Sequence, residues 1–240
     1  MKKKFIDFLL KKVPDDYDVV SQTFSNSRHK PWAEFELYTD ACFEGANVLD
    51  LGCGNGRLFF SLKEQNIKYI GLDNSAGLLD QAKESLVKED VELIEGSFLD
   101  IPLPDNSVDL IFAVASFHHL PSNEIRLQAL REMQRVLKPN GKLYISVWNL
   151  YQKRYFKFIL ESLFRLGSYD FGDTFIKLGG VKRYYHAFTP YSLSRLVSKS
   201  NFKLVNKHYY KNTQKTSSFW QSQNMIFELK VVLNYNKSGL

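Results

Sequence analysis

The stretch that decides the fold reads Ala46-Asn47-Val48-Leu49-Asp50-Leu51-Gly52-Cys53-Gly54-Asn55-Gly56-Arg57. Its apolar beginning predicts a strand, and the three glycines that follow predict a turn leading into a helix. Glycines in such a turn lack a Cβ atom, so a ligand can approach the bare backbone and the unpaired N–H groups of the helix N-terminus. The spacing is G-x-G-x-G. A dinucleotide site of the G-x-G-x-x-G type would need a glycine where this chain has Arg57.

Short strand patterns alternate with helical patterns through the middle of the chain, which predicts an α/β fold built of βαβ units. Strands are predicted at residues 46–51, 69–72, 91–94, 108–114 and 142–147, and the clearest helix at residues 124–137. After Trp148 the pattern predicts an aromatic, basic helix at 151–166 and a glycine-containing stretch, then a helix at 192–198 and an antiparallel hairpin of 202–210 with 224–232.

The charge of the chain is distributed unevenly. Residues 1–150 carry 17 Lys and Arg against 22 Asp and Glu, whereas residues 151–220 carry 13 against 3, a net charge of +10. Such an asymmetry suggests a polyanionic partner for the basic part. The alternative is that these lysines are simply solvated and keep the protein soluble.

Cysteine usage and hydropathy indicate the compartment. Cys42 and Cys53 have neither metal-ligand nor disulfide-framework spacing, so we expect free thiols, a reducing compartment and no metal site. The apolar run near the N-terminus is interrupted by Asp7 and is too short for a signal peptide, and no stretch is long enough to cross a membrane. We therefore expect a cytoplasmic protein without a membrane partner.

The second predicted strand ends in Asp73, whose carboxylate can accept hydrogen bonds from both ribose hydroxyls of an adenosine. Taken alone, an acid in this place could equally be a helix N-cap. Because a glycine turn follows the preceding strand, the two features together favour a nucleoside cofactor.

Four stretches resemble successive motifs of the class I S-adenosylmethionine-dependent methyltransferases: residues 48–56, 71–73, 101–109 and 135–142. The resemblance covers about residues 46–148. It implies an α/β, Rossmann-like sheet of seven strands with helices on both faces and the last strand antiparallel. It also implies S-adenosylmethionine as the cofactor. Gly52, Gly54 and Ala113 would then lie near its methionine part and Asp73 would bind its ribose. Ser97, beside Phe98, would lie at its adenine. The family often has Asp where this chain has Ser97. The whole cofactor-binding set is Asp50, Gly52, Gly54, Gly56, Asp73, Ser97, Phe98, Ala113 and His118.

The domain organisation that we predict has four parts. Residues 1–45 form an N-terminal helical segment that covers the cofactor site, and residues 46–148 form the core that binds the cofactor. Residues 149–190 are a basic, aromatic insertion or substrate lid. Residues 191–240 form a C-terminal helix and an antiparallel hairpin that complete the sheet.

The methyl acceptor determines which side chains are needed. An N–H, C–H or hydroxyl acceptor needs a general base, whereas a carboxylate is already ionised at pH 7, having a reference pKa of about 4, and needs cationic donors to orient it. Candidate groups are Arg28, His29, His118, His119, Arg183 and His186. The competing interpretation is that the histidines bind backbone groups and that Tyr184 and Tyr185 are core aromatics.

A narrower resemblance lies outside the cofactor core. Residues 24–32, residues 116–120 with Arg126, residues 147–152 and residues 183–188 look like the tRNA carboxymethyluridine methyltransferases, which methylate the carboxylate of a modified wobble uridine. By that similarity Arg28 and Arg183 orient the substrate and His119 lies by the reacting carboxylate. The residues assigned to substrate binding are Lys30, Trp32, Tyr184, Tyr185 and His186.

This resemblance makes tRNA the expected partner. Eukaryotic members also work with a small zinc-binding activator, which the sequence leaves open. The chain departs from the family at Leu120, where a Trp is frequent, and in a shorter, more aromatic insertion in place of a long basic linker. Two alternatives stay open. One is a small-molecule or lipid methyltransferase with an apolar lid made of Phe156, Phe158, Leu163 and Phe164. The other is a non-catalytic module that only binds the cofactor.

Overall fold

The computed structural model describes residues 1–26, 32, 34–163, 169–212 and 214–232. The α-helices of these segments are α1 (Lys3–Asn26), α2 (Phe35–Ala41), α3 (Phe59–Leu62), α4 (Ala76–Ser85), α5 (Asn123–Val136), α6 (Phe156–Leu163) and α7 (Pro190–Val197). The strands are β1 (Asn47–Leu51), β2 (Lys68–Asp73), β3 (Val91–Glu95), β4 (Val108–Val114), β5 (Leu137–Trp148), β6 (Asp173–Leu178), β7 (Val181–His186), β8 (Phe202–Lys211), β9 (Gln214–Thr216) and β10 (Asn224–Val231).

The main sheet has the strand order β3-β2-β1-β4-β5-β10-β8-β9. Strands β3, β2, β1, β4 and β5 pair in parallel, and β10 is antiparallel to both β5 and β8. The predicted Rossmann-like α/β fold with its last strand antiparallel is therefore confirmed. The predicted number of strands is wrong, because β9 adds an eighth. This strand of three residues pairs with the end of β8 and is too short and polar for any hydrophobic pattern to indicate it.

Both faces of the sheet are buried, since alternate residues of the central strands pack into two different clusters. On β4, for example, Ile111 belongs to the cluster covered by α5 and α7, whereas Leu110 and Phe112 pack with the aromatic side chains of α2. A sheet covered on both faces explains why its strands are continuous apolar runs rather than alternating ones.

The segment between β5 and α7 differs from the prediction. The helix predicted at 151–166 is α6 within the described residues, preceded by turns, and the glycine-containing stretch holds the hairpin β6–β7, which was not predicted. Leu178 pairs with Val181, so Gly179-Gly180 form a two-residue connection, and both have positive φ. The dipeptide between two β-rich runs is the signal that could have revealed this hairpin.

Helix α1 lies over the carboxyl ends of the parallel strands. One carboxylate oxygen of Asp18 accepts hydrogen bonds from the Ser75 hydroxyl at 2.6 Å and the Gly77 N–H at 2.9 Å, which ties α1 to the first turn of α4. No helix in the described segments is long and apolar enough to cross a membrane. The fold therefore brings an amphipathic N-terminal helix to the edge of the sheet where the glycine turn lies.

Candidate active site

A cavity lies between α1 and the carboxyl ends of β1, β2 and β4. This edge is where open α/β sheets bind ligands. Its floor is the glycine turn, and α1 contributes the apolar roof, made of Leu10, Val13, Tyr17 and Phe24. The roof residues were not predicted, although their spacing of three, four and seven residues is the helical pattern that could have shown them.

The glycine turn brings bare backbone to the cavity at Gly54. Gly54 has φ +58°, and a Cβ atom added there would point into the cavity, 3.8 Å from the Phe24 ring and 3.9 Å from Leu78. At Gly52 an added Cβ would lie 2.5 Å from the Cβ of Ser116, so that position is needed for packing as well as for the turn. Gly56 does not line the cavity, and a Cβ atom added there would lie 2.7 Å from Leu86 at the C-terminus of α4, so its place in the cofactor-binding set stays a prediction.

We expect Gly54→Ala to lower affinity for the nucleoside cofactor by about a hundredfold, because its methyl group would occupy the space that the ligand needs. The left-handed backbone costs an alanine about 1 kcal/mol. Gly45→Ala is the matched control, since Gly45 has φ +76° and nothing within 4 Å of the added Cβ. Urea unfolding should show the same small loss of stability in both variants. Calorimetry should show a loss of cofactor affinity only in Gly54→Ala. Equal affinities in the two variants would remove Gly54 from the site.

Two buried acids flank the glycine turn. The Asp73 carboxylate accepts hydrogen bonds from the Gly54 N–H at 2.8 Å and the Ser75 N–H at 2.9 Å. Burial raises the pKa of Asp73, and these backbone donors oppose that rise. Burial also raises the pKa of Asp50 to about 7, against the hydrogen bond that the Tyr69 hydroxyl donates at 2.7 Å. Both carboxylates line the cavity, so a cationic or hydroxyl-bearing ligand would meet them directly.

Three other residues predicted to bind the cofactor do not line this cavity. The Ser97 hydroxyl accepts the Leu99 N–H at 3.1 Å, whereas its neighbour Phe98 does line the cavity. Ala113 is fully buried in the core. His118 is buried, and its Nδ1 accepts the Trp148 N–H at 3.3 Å. Side chains alternate between the two faces of the sheet along β4, and that of Ala113 points into the core, which explains why it does not line the cavity.

His119 forms part of the cavity wall, and both of its ring nitrogens have partners. The Nδ1 atom is 2.7 Å from the Tyr184 carbonyl oxygen, and Nε2 is 2.8 Å from the Tyr17 hydroxyl. A neutral imidazole satisfies both contacts, with Nδ1–H donating and Nε2 accepting. Burial lowers the pKa of His119 to about 3, with a further contribution from the charge of Arg183. His119 is therefore a neutral group and a weak base.

Arg183 lies beside His119 and is only 4% exposed. Its guanidinium carbon is 4.7 Å from the centroid of the Tyr17 ring, and its Nε has no hydrogen-bond partner within the described residues. No described carboxylate forms an ion pair with it, although every Asp and Glu of the chain lies in the described segments. A buried cation without a counter-ion is costly, so this position is suited to an anionic ligand.

Tyr184 and His186, predicted to bind substrate, instead form a buried ionic network. Asp173 accepts hydrogen bonds from the Tyr184 hydroxyl at 2.6 Å and from His186 Nδ1 at 2.7 Å, and Nη2 of Arg126 lies 3.5 Å from the same oxygen. Tyr185 is fully buried and stacks on Trp148. Both tyrosines are therefore buried in this structure, as the core interpretation expects, and their role in substrate binding stays a prediction.

The remaining predicted groups are Arg28, His29, Lys30 and Trp32. Trp32 lines the cavity, and the guanidinium of Arg57 lies 3.8 Å over its ring. Arg28, His29 and Lys30 lie outside the described residues, so their roles stay predictions.

Two buried histidines make stability depend on pH. Burial lowers the pKa of His119 to about 3 and that of His186 to about 4, below the unfolded value of about 6.5. The unfolded chain therefore binds more protons than the fold between these values, and the stabilisation present above pH 6.5 is lost as the pH falls towards 4. Urea unfolding across this range should show a falling free energy of unfolding, with a shallower slope in His186→Gln. A free energy that stays constant down to pH 5 would contradict this prediction.

Comparison with known proteins gives the following similarities. A family profile described as a methyltransferase domain matches residues 49–145. The chain is 35% identical to a putative methyltransferase of Encephalitozoon cuniculi over 191 residues, covering 79% of this chain and 86% of that protein. It is 27% identical to the tRNA (carboxymethyluridine(34)-5-O)-methyltransferase of Schizosaccharomyces pombe, covering 80% of this chain and 89% of that protein. Mouse ALKBH8 has the same designation and is 31% identical over 63% of this chain, but the match spans only 22% of ALKBH8.

Other methyltransferases are also similar. The demethylmenaquinone methyltransferase of Bacillus cereus is 30% identical over 59% of this chain and 61% of its own length. A crystal structure of a SAM-dependent methyltransferase from Methanosarcina mazei superposes with a TM-score of 0.70 at 20% identity, covering 82% of this chain and 97% of that one. A chain from the complex of the Haloferax volcanii Trm112 methyltransferase activator with a putative methyltransferase superposes with a TM-score of 0.64 at 17% identity, covering 90% of this chain and 97% of that one. At these identities the two structures establish the fold alone.

Proposed function

Since the chain belongs to the class I S-adenosylmethionine-dependent methyltransferases, we propose that it methylates a carboxylate on a modified wobble uridine of tRNA. The cofactor supplies an electrophilic methyl group on a sulfonium, and transfer is an in-line displacement by the acceptor oxygen. The protein contributes proximity and alignment, which can account for most of the acceleration of such a reaction.

The cavity fits the cofactor. Each oxygen of the Asp73 carboxylate keeps a lone pair beyond its backbone hydrogen bond, as two ribose hydroxyls require. The raised pKa of Asp50 reflects a buried carboxylate that a ligand ammonium group would stabilise in its charged form. The ring of Phe98 lines the same cavity and offers a face to the adenine.

The choice of a carboxylate acceptor rests on the buried guanidinium of Arg183, which has no carboxylate partner among the described residues and an Nε without a hydrogen bond. Arg183 does not itself line the cofactor cavity, but it places a buried positive charge against Tyr17 and His119, which do, and a carboxylate can form two hydrogen bonds with a guanidinium. His119 supports the same choice, because a base with a pKa of about 3 is poorly suited to remove a proton from an N–H or hydroxyl acceptor. A carboxylate acceptor needs no such base.

The tRNA part of the proposal has two supports. Residues 151–220 carry a net charge of +10, which can follow a phosphate backbone. The Schizosaccharomyces pombe relative, matched over most of both chains, is named a tRNA carboxymethyluridine methyltransferase.

The test is transfer of a labelled methyl group to tRNA that contains 5-carboxymethyluridine. We expect a base-labile methyl ester on the wobble nucleoside by mass spectrometry, and binding that weakens steeply with added salt. The assay is run with and without a purified Trm112-type subunit, since a structural neighbour comes from such a complex. Labelled tRNA without an ester at the wobble position would refute the carboxylate acceptor.

The rival is a small-molecule or lipid acceptor, which the similarity to a demethylmenaquinone methyltransferase favours. The apolar lid proposed for it is not supported, because Phe156 and Phe158 do not line the cofactor cavity and α1 covers it instead. The side chains of Leu163 and Phe164 lie outside the described residues. Methylation of a naphthoquinol but not of tRNA would establish this rival.

A further inference from the structure

A second cavity adjoins the cofactor cavity. Trp32 and Trp148 line both cavities, so these two half-buried side chains form the boundary between them. A ligand held in the second cavity would therefore meet the cofactor cavity across the two tryptophans.

The lining of the second cavity combines aromatic rings with amide groups. Tyr155 adds a third ring, and the hydrogen-bonding groups come from Glu34, Gln152, Asn212, Gln223 and Asn224. An amide offers both donors and an acceptor, which is what the edge of a planar base with carbonyl and N–H groups requires. Aromatic faces supply stacking for the same base. A lipid tail would instead need a continuous apolar wall.

Internal hydrogen bonds hold these groups in place. Asn224 lies opposite Trp148 in the pairing of β10 with β5, and its amide donates to the Glu34 carboxylate at 2.6 Å. The Gln152 amide donates to the Asn149 carbonyl oxygen at 2.6 Å, and the buried Asn149 side chain is itself bonded to the Phe219 and Ser222 carbonyls. These hydrogen bonds fix the lining of the cavity to the ends of β5 and β10 and to the turns next to them.

A cation completes the site at its rim. The exposed side chain of Arg154 lines the cavity and forms no ion pair with any carboxylate in the described part of the chain. A nucleotide held by its base would leave its phosphate towards solvent, where such a group can bind it.

We propose that the second cavity binds the pyrimidine base that carries the methyl acceptor, stacked against Trp32 and Trp148 with its substituent directed into the cofactor cavity. This inference rests on the proposed function, because it takes the acceptor to be a nucleotide. It adds a base-binding subsite formed by Trp148, Gln152 and Tyr155, on the opposite side of the tryptophan boundary from the glycine turn.

Tryptophan fluorescence can report binding in the second cavity, since the chain has three tryptophans and two of them line it. The third, Trp220, is 75% exposed and lines neither cavity. Three double variants, each with two Trp→Phe substitutions, leave Trp32, Trp148 or Trp220 as the single fluorophore and keep an aromatic ring at every position. The probe is uridine 5′-monophosphate, which has the base but no carboxylate to be methylated. Ribose 5-phosphate, which lacks the base, is the matched control ligand.

We expect uridine 5′-monophosphate to quench Trp32 and Trp148 with one common Kd and to leave Trp220 unchanged. Ribose 5-phosphate should bind about tenfold more weakly or not at all, because it cannot stack. Equal quenching of all three tryptophans, no quenching of Trp32 and Trp148, or equal affinity for the two ligands would overturn the subsite. So would quenching by a naphthoquinone alone.

The outcome is separable from that of the proposed function. Quenching of Trp32 and Trp148 without methylation of tRNA would keep the base site and reject the carboxylate acceptor. Methylation of tRNA without quenching of Trp32 and Trp148 would keep the carboxylate acceptor and reject the base site. Circular dichroism and cofactor affinity of each variant establish that it is folded before the titration is interpreted.

Discussion

Arg183→Met is expected to lower kcat/KM for methyl transfer to the tRNA carboxylate by about a thousandfold and to leave the free energy of unfolding unchanged or higher. Removing one member of a buried, hydrogen-bonded charge pair costs roughly 2–5 kcal/mol, and a thousandfold corresponds to about 4 kcal/mol. Stability behaves differently, because without substrate this charge has no counter-ion among the described residues. Replacing a buried charge by an apolar side chain is often neutral or stabilising.

The combination of lost activity and retained stability is what identifies a functional charge. Steady-state kinetics and urea unfolding measure the two quantities on the same preparation. Arg195→Met is the matched control, because Arg195 lies exposed on α7 and should change neither quantity. Arg183→Lys should recover part of the activity, since it keeps the charge but loses the planar pair of donors. If Arg183→Met lost stability and activity together, a structural role would be the better explanation.

Asp173→Ala is expected to lower the free energy of unfolding by about 3–5 kcal/mol. It leaves the guanidinium of Arg126, which is fully buried, without its counter-ion, and it removes the acceptor of Tyr184 and His186. Breaking a buried ion pair by removing one partner has a cost of this order. A typical domain has only about 5–15 kcal/mol in total, so the variant should unfold at a much lower urea concentration.

The control for this prediction is Asp170→Ala, three residues away. Asp170 is half-exposed and lies 3.6 Å from the terminal amino group, an ion pair whose contribution should stay below about 1 kcal/mol. Asp173→Asn keeps an acceptor oxygen and should fall between Asp173→Ala and the unchanged protein. A loss below 1 kcal/mol for Asp173→Ala would show that Arg126 has found other partners.

The same network is bonded to the residues that we assign to the methyl acceptor. Tyr184 donates its hydroxyl to Asp173 and uses its backbone carbonyl to accept the hydrogen bond of His119. Arg183 is the preceding residue on β7. Weakening the network should therefore disturb the side of the cavity that we assign to the acceptor more than the glycine turn, which connects β1 to α3.

The cofactor half of the site could be read from the sequence because its chemistry is local. The glycines follow one another within a single turn, and Asp73 ends the next strand, so the carboxyl edge of a parallel sheet brings them together without further information. The sequence did not show that the Ala113 side chain points into the core, because side-chain direction depends on packing against elements far away in the chain.

The acceptor half depended on partners that are distant in sequence. Arg126 and Arg183 are both buried arginines, and no pattern around either shows that Asp173 lies next to the first and not next to the second. Tyr17, which bonds to His119 and lies under Arg183, comes from a helix about a hundred residues earlier. The sequence by itself determined the fold class and the glycine turn, because short-range periodicity and backbone sterics act along the chain. Only the tertiary structure decided which buried arginine pairs with a carboxylate and which has none among the described residues, because ion pairing depends on distances that the fold alone creates.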